Sequence, residues 1–450
     1  MKKTKELLEK DIKSLFWKYA IPSMTMMVIM SVYFIVDAIF IGRGVGSEAL
    51  GAVNLTIPIM VIVNSITMSL AIGASIIISI YLSKKKYVKA NNTFTNILLI
   101  NAVISLVFTG LGLVFSSQIA TLLGATPETF DMVIRYLSII LYFLFFFTMQ
   151  ATLSSIIRND GNPNLAMVAI IVSSLINIPL DALFIFGFDW GLTGAAIATG
   201  LSQVIAVIIL SFHFILKKGN LRISKPNFEF KEYKKIFINT IPIMIGNIFL
   251  PISMFLMNIT ASQAYGTLGI SAYAIVASIS MFIGMALNGI AQGIQPIISF
   301  NHGQSEELRI KNTLTLGIKN SLIIAIVLCM GLFFFSDQVI GLFTTEDISS
   351  PLFSMTRKAL LIYMVGFVFI GFNSLLASYF QSVEKIKDAM IVNTLRSIII
   401  LIPIALFVPL VLPNEYIWTI LPISEFLISI SILAFYYKKI FVKTPEISKS

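Results

Sequence analysis

The chain is poor in charge: only 12% of its 450 residues are Asp, Glu, Lys or Arg, about half of the ~25% that a soluble globular chain carries. That scarcity excludes a soluble enzyme. Cysteine occurs once, as Cys329, so no intrachain disulfide and no cysteine-built metal centre can form. The two histidines, His213 and His302, lie at no metal-ligand spacing, which removes zinc hydrolases and intramembrane metalloproteases and leaves Na+ as the only metal ion to consider. No Gly-Lys pair exists, so the phosphate-cradling loop G-x-x-x-x-G-K-[ST] is missing. ATP-driven transport within this chain is therefore excluded, and no cofactor is expected.

Apolar residues are abundant instead. They make up 57% of the chain, with a mean hydropathy of +0.91, which leaves room for about twelve spans of ~20 residues and for no soluble domain. Apolar runs fall at 16–41, 50–83, 94–115, 133–156, 164–187 and 193–216, then at 236–261, 270–299, 314–335, 355–381, 388–411 and 415–437. The length of the second and eighth runs predicts that they tilt or bend. The fold expected is an all-α polytopic membrane protein of 12 transmembrane helices in two pseudo-symmetric six-helix lobes: residues 1–216, a cytoplasmic linker 217–235, and residues 236–450.

A formal net charge of +10 could suggest nucleic acid, but its placement argues for topology. The odd-numbered connections and the span starts that adjoin them hold only Arg43, Arg135, Arg357 and Lys358, and beyond the first turn the spans hold only Lys319 and Arg396. Every other Lys and Arg lies in the amino-terminal segment, the even connections or the carboxyl tail. By the positive-inside rule both termini are cytoplasmic, and the protein is expected as a multi-pass component of the plasma membrane, its basic loops facing lipid headgroups. No nucleic-acid partner is expected.

The halves match when shifted by 220: Ile21-Pro22 with Ile241-Pro242, Gly46 with Gly266, Gly73 with Gly293, Ser79 with Ser299, and Asn92-Thr93 with Asn312-Thr313. Six spans per half make the repeats parallel, related by an axis along the membrane normal. This is transporter architecture, driven by an ion gradient or by the substrate's own.

Acids inside spans are the place to look for coupling. Asp37, Asp181 and Glu425 stand out. Rise per residue puts Asp37 about 6 Å, and Asp181 and Thr199 about 9 Å, below the outer boundary. Asn177 precedes Asp181 by one turn on the same face, and Pro179 between them removes a backbone donor. Amide, carboxylates, hydroxyl and freed carbonyl make a candidate proton or sodium site, although Asn177 and Asp181 could instead simply tie helices together. Tyr33 and Met30 lie on the Asp37 face at one and two turns. The second half carries Met257 opposite Asp37 and aliphatic residues opposite Asp181, so the ion chemistry is lopsided. Glu425, close to the repeat partner of Gln203, reads either as a second coupling acid or as a polar contact.

These residues are where the chain resembles the multidrug and toxic compound extrusion (MATE) transporters, in particular the DinF-like and MepA-like branch. The resemblance spans the whole length. It rests on Val36-Asp37-Ala38-Ile39-Phe40-Ile41-Gly42, Arg158-Asn159-Asp160-Gly161-Asn162-Pro163, Asn177-Ile178-Pro179-Leu180-Asp181, Gly194-Ala195-Ala196-Ile197-Ala198-Thr199 and Gln292-Gly293-Ile294-Gln295-Pro296. It implies export of drugs or organic cations in exchange for H+ or Na+, by two lobes opening alternately to either side. It also implies a cation-coupling site at Asp37, Asn177, Asp181 and Thr199, with Tyr136 nearby. A Pro commonly follows the second aspartate in that family; here Ala182 does. The NorM-like branch places acids in helices seven and ten, where this chain has none.

The cavity is expected to be lined by Met30, Tyr33, Tyr136, Gln203, Met257 and Glu425, since soft thioethers and aromatic rings suit lipophilic cations of many shapes. The protein is expected to act as a monomer. A lipid-linked oligosaccharide flippase of the same superfamily is the alternative, disfavoured by the near absence of Lys and Arg from the spans. An intramembrane aspartyl protease is the enzyme alternative, but its Gly-x-Gly-Asp signature is missing.

Overall fold

The computed structural model describes residues 2–226, 229–247, 249–344 and 347–437. These residues are almost entirely helical, as continuous apolar sequence demands in a medium that offers the backbone no hydrogen-bond partners. The membrane-crossing elements of the first half are α1 (Ile12–Gly44), α2 (Ser47–Ser83), α3 (Tyr87–Val114), α4 (Phe130–Tyr142 and Leu144–Asn159), α5 (Pro163–Asp181, continued by a π turn Ala182–Gly187) and α6 (Gly191–Ile215). In the second half α7 (Phe230–Asn247) runs on into the long helical stretch Phe249–Gly303. That stretch is broken at Gly266, whose φ of 60° and ψ of −141° lie outside the helical region, and α8 is the part beyond the break. There follow α9 (Glu307–Ile340), α10 (Pro351–Tyr363 and Val365–Ser382), α11 (Ile386–Thr394, a π turn Leu395–Ile399, and Leu401–Val411) and α12 (Asn414–Thr419 as a 3-10 turn, then Ile420–Tyr437).

Ten of these segments are long and apolar enough to cross a membrane, or eleven when the two parts of α4, bent by 48°, count as one span. The stretch Glu232–Gly303 is one of them and is 72 residues long, far beyond the ~20 that span a bilayer. Its break at Gly266 separates two crossings, so twelve result among the described residues. Large apolar side chains point outward along them, Leu106 at 65%, Leu410 at 83% and Phe435 at 77% exposure, as a lipid-facing surface requires.

The repeat read from sequence is also a repeat of backbone conformation. Gly46 and Gly266 both take positive φ, 118° and 60°, and each separates the first helix of its half from the second. Lys85 and Ser305, again 220 apart, share φ near +60° in the next connection. The fifth helix of each half contains a π turn, closed by Phe188 N–H donating to Leu183 O and by Ile400 N–H donating to Leu395 O.

Contacts gather the chain into two units. One comprises Met1–Glu9 and Thr25–Thr240, the other Lys10–Met24 and Ile241–Ser450. The start of α1 thus belongs to the second unit, and the start of α7 to the first. Both assignments have one cause: a Cβ on Gly293 would meet Ala20 Cα at 2.8 Å, and one on Gly73 would meet Thr240 Oγ1 at 2.9 Å. Those two contacts are the same contact shifted by 220 residues.

In the first unit, the segment read as a linker is strapped down. The side chains of Asp160 and His213 are wholly buried, and Asp160 accepts from His213 Nε2 at 3.0 Å, Asn220 N–H at 2.8 Å and Leu221 N–H at 3.3 Å. Arg222 N–H donates to Asn91 and Ser224 N–H to Thr95. Residues 220–224 therefore lie along the ends of α3, α4 and α6.

Candidate cation-coupling site

α1, α5 and α6 converge in the first unit because glycines let them. A Cβ on Gly194 of α6 would sit 2.9 Å from the Phe184 backbone, and one on Gly44 of α1 would overlap Ile185 and Phe186. Both helices therefore press against the π turn that follows Asp181. The consequence is chemical: Asp37 and Tyr33 from α1, Asn177 and Asp181 from α5, and Thr199 from α6 face one another.

Tyr33 OH donates to Thr199 Oγ1 at 3.4 Å, and Thr199 Oγ1 donates to Asp37 Oδ1 at 3.5 Å. Both distances are long, so this relay is loose. Asp37 is half-buried, whereas Asn177 and Asp181 are completely enclosed and Tyr136 nearly so. Asp37 and Asp181 interact with each other, and the phenols of Tyr33 and Tyr136 lie in the field of both. Asp181 also lies beside Asn177, yet no well-aligned hydrogen bond closes. Among the described residues, both oxygens of Asp181 and both polar atoms of Asn177 lack a hydrogen-bond partner.

An enclosed carboxylate without a donor is costly as an anion, by several kcal/mol even after relaxation. Asp37, half-buried and reached by Thr199, adds a second carboxylate beside it, so keeping both ionised with no cation between them is costly. The arrangement suits a shared proton, or a small cation held by carboxylate, amide and hydroxyl oxygens. Among the described residues no group of three His, Cys, Asp or Glu is placed to hold a metal ion, so any Na+ here would rely on Asn177 and Thr199 beside the two acids.

The other expected residues divide. Met30 and Gln203 are half-buried on α1 and α6. Met257 and Glu425 are not cavity-lining: each has zero exposure within the second unit. Met257 is a member of that unit's apolar core. Glu425 is bound on both oxygens, by Arg396 Nε at 2.8 Å and Asn373 Nδ2 at 2.6 Å. Arg396 and Asn373 were missed from sequence, although an acid and a base in the spans of one half signal that each needs the other.

A model of the MatE family matches residues 22–183 and 242–407, one stretch in each half. Multidrug export protein MepA of Staphylococcus aureus strain MRSA252 is 26% identical over 427 residues, 93% of this chain and 92% of that protein. The protein of the same name from Staphylococcus saprophyticus is 26% identical over 391 residues, 85% and 84% of the two chains. Among solved structures, the outward-facing conformation of a multidrug resistance MATE family transporter of the MOP superfamily superposes with a TM-score of 0.92 at 23% identity, covering 98% of each chain. A MOP superfamily transporter from Pyrococcus furiosus gives a TM-score of 0.91 at 23% identity, covering 99% of each. At that identity the likeness is one of fold.

Proposed function

Because this chain belongs to the MatE family of membrane transporters, we propose that it exports lipophilic or cationic small molecules from the cell in exchange for H+ or Na+. The observation that supports this reading most is Asp181: enclosed, beside a second carboxylate, with neither oxygen receiving a hydrogen bond.

The two six-helix lobes alternate between inward- and outward-open states, with both termini in the cytoplasm and a monomer as the working unit. With the site empty, repulsion between Asp37 and Asp181 pushes α1 and α5 apart. A proton or Na+ removes that repulsion, draws the helices onto the π turn and shifts the lobe toward the packing that releases substrate outward. The cation needs no direct contact with the substrate; it needs only different affinities for the two packings. Met30 and Tyr33, along α1 from Asp37, give the substrate a soft, adaptable wall.

The test is efflux of a lipophilic cation such as ethidium from proteoliposomes, with a pH gradient or a sodium gradient imposed separately. One gradient is expected to drive efflux and the other not. Equal efflux with neither gradient imposed would overturn ion coupling.

A further inference from the structure

The second unit has a buried acid of its own, and a cationic side chain is already paired with it. Glu425 Oε1 accepts from Arg396 Nε at 2.8 Å, and Oε2 from Asn373 Nδ2 at 2.6 Å. Asn373 Nδ2 also donates to the Glu425 backbone carbonyl at 2.9 Å, and Ser429 Oγ donates to Asn373 Oδ1 at 3.0 Å. The Arg396 guanidinium donates to Ser374 Oγ at 3.0 Å and lies 4.3 Å from the ring centre of Phe249. The Glu425 side chain is 0% exposed and that of Arg396 10%.

Without the arginine, the remaining groups are a carboxylate, an amide and two hydroxyls. These are the classes of ligand that Asp181, Asn177 and Thr199 supply in the first unit. Arg396 enters among them from the π turn Leu395–Ile399, a local widening of α11 that is common at functional positions. A guanidinium stays charged at any physiological pH. Being tethered, it competes with a free ion at a far higher effective concentration.

We propose that Arg396 is a tethered counter-cation: it fills the carboxylate site of the second unit and so confines exchangeable H+ or Na+ to the first. Arg396 thereby sets how many ions each transport cycle moves. This rests on the cation coupling proposed above, since without coupling there is nothing to confine.

The experiment counts cation occupancy of the purified full-length protein in two ways: bound ²²Na+ per molecule, and the carbonyl stretch of protonated carboxyl groups in infrared difference spectra. The wild type is expected to show occupancy that Asp37→Asn/Asp181→Asn removes. Adding Arg396→Gln to that double variant is expected to restore one equivalent, which Glu425→Gln then abolishes. Arg396→Lys, which keeps the tether charged, is expected to restore none. A folded Arg396→Gln triple variant with no occupancy overturns the proposal and leaves first-unit coupling standing. Wild-type occupancy that survives Asp37→Asn/Asp181→Asn instead overturns the first-unit site. Should Arg396→Gln fail to fold, Glu425→Gln alone decides. Unchanged occupancy supports the proposal, and loss of one equivalent overturns it, because Glu425 would then already be exchanging ions.

Discussion

The first unit holds Asp37 and Asp181 near one another with two phenols, an amide and a threonine, and among the described residues no basic side chain acts on them. The second holds Glu425 among an amide and serines as well, but with a guanidinium against it. Asp181 and Glu425 are both enclosed, both clusters draw on the fifth and sixth helices of their halves, and both adjoin a π turn. They differ in whether the counter-charge is part of the chain. Glu425 has its counter-charge on the same chain, whereas under the coupling proposed above Asp37 and Asp181 take theirs from solution. Asp181 and Glu425 are equally buried, so burial of an intramembrane carboxylate does not by itself say whether it has a counter-charge.

The sharpest way to break this comparison is to neutralise each acid in turn. Asp37→Asn and Asp181→Asn are expected to lower gradient-driven efflux to background, because the proposed cation could no longer favour one packing over the other. Glu425→Gln is expected to leave the ion dependence of efflux unchanged. Normal coupled efflux from a well-expressed Asp181→Asn protein would remove the basis of the contrast.

Stability should invert that ranking. Arg396→Met leaves Glu425 buried without its partner and is expected to cost about 3–5 kcal/mol, whereas Arg396→Met combined with Glu425→Leu recovers most of it. Thermal unfolding in detergent reads both. A single variant as stable as the wild type would mean that the ion pair does not organise the second unit.

Two smaller effects sharpen the picture of how the first cluster is assembled. Gly194→Ala puts a methyl group 2.9 Å from the Phe184 backbone. It is expected to destabilise by about 1–3 kcal/mol through overpacking and to weaken coupling by moving Thr199 away from Asp37. Thr199→Val removes the hydroxyl between Tyr33 and Asp37, with an expected cost of about 1 kcal/mol, or several-fold in apparent ion affinity from the ion dependence of efflux. Ser374→Ala, the comparable change in the second unit, should leave that dependence alone.

Much of this was legible beforehand. Twelve crossings followed from apolar runs; the matched Gly46 and Gly266 both take positive φ between the first two helices of their halves, and Gly73 and Gly293 both sit at a close helix contact. Asp37, Asn177, Asp181 and Thr199 converge, since an acid too costly to expose to lipid must turn inward. Sequence leaves Glu425 open between a coupling acid and a polar contact, and sets Met257 beside the cavity rather than in the apolar core, because repeat position says which helix a residue is on but not what packs against it. Residues 217–235 read as a linker for want of apolar sequence, yet Asp160 secures part of that segment through backbone N–H groups, which every sequence possesses.

Composition and pattern determined that the chain is membrane-embedded, duplicated and equipped with acids inside its spans, because hydrophobic length and charge are properties of residues taken singly or in local runs. Only the tertiary structure decided which acid is left without a partner. That depends on whether a guanidinium 29 positions away in the chain comes within 2.8 Å of a carboxylate, a distance set by the packing of α11 against α12. The same holds for the exchange of the first segments of α1 and α7 between the units, which two glycines permit but only close helix packing brings about.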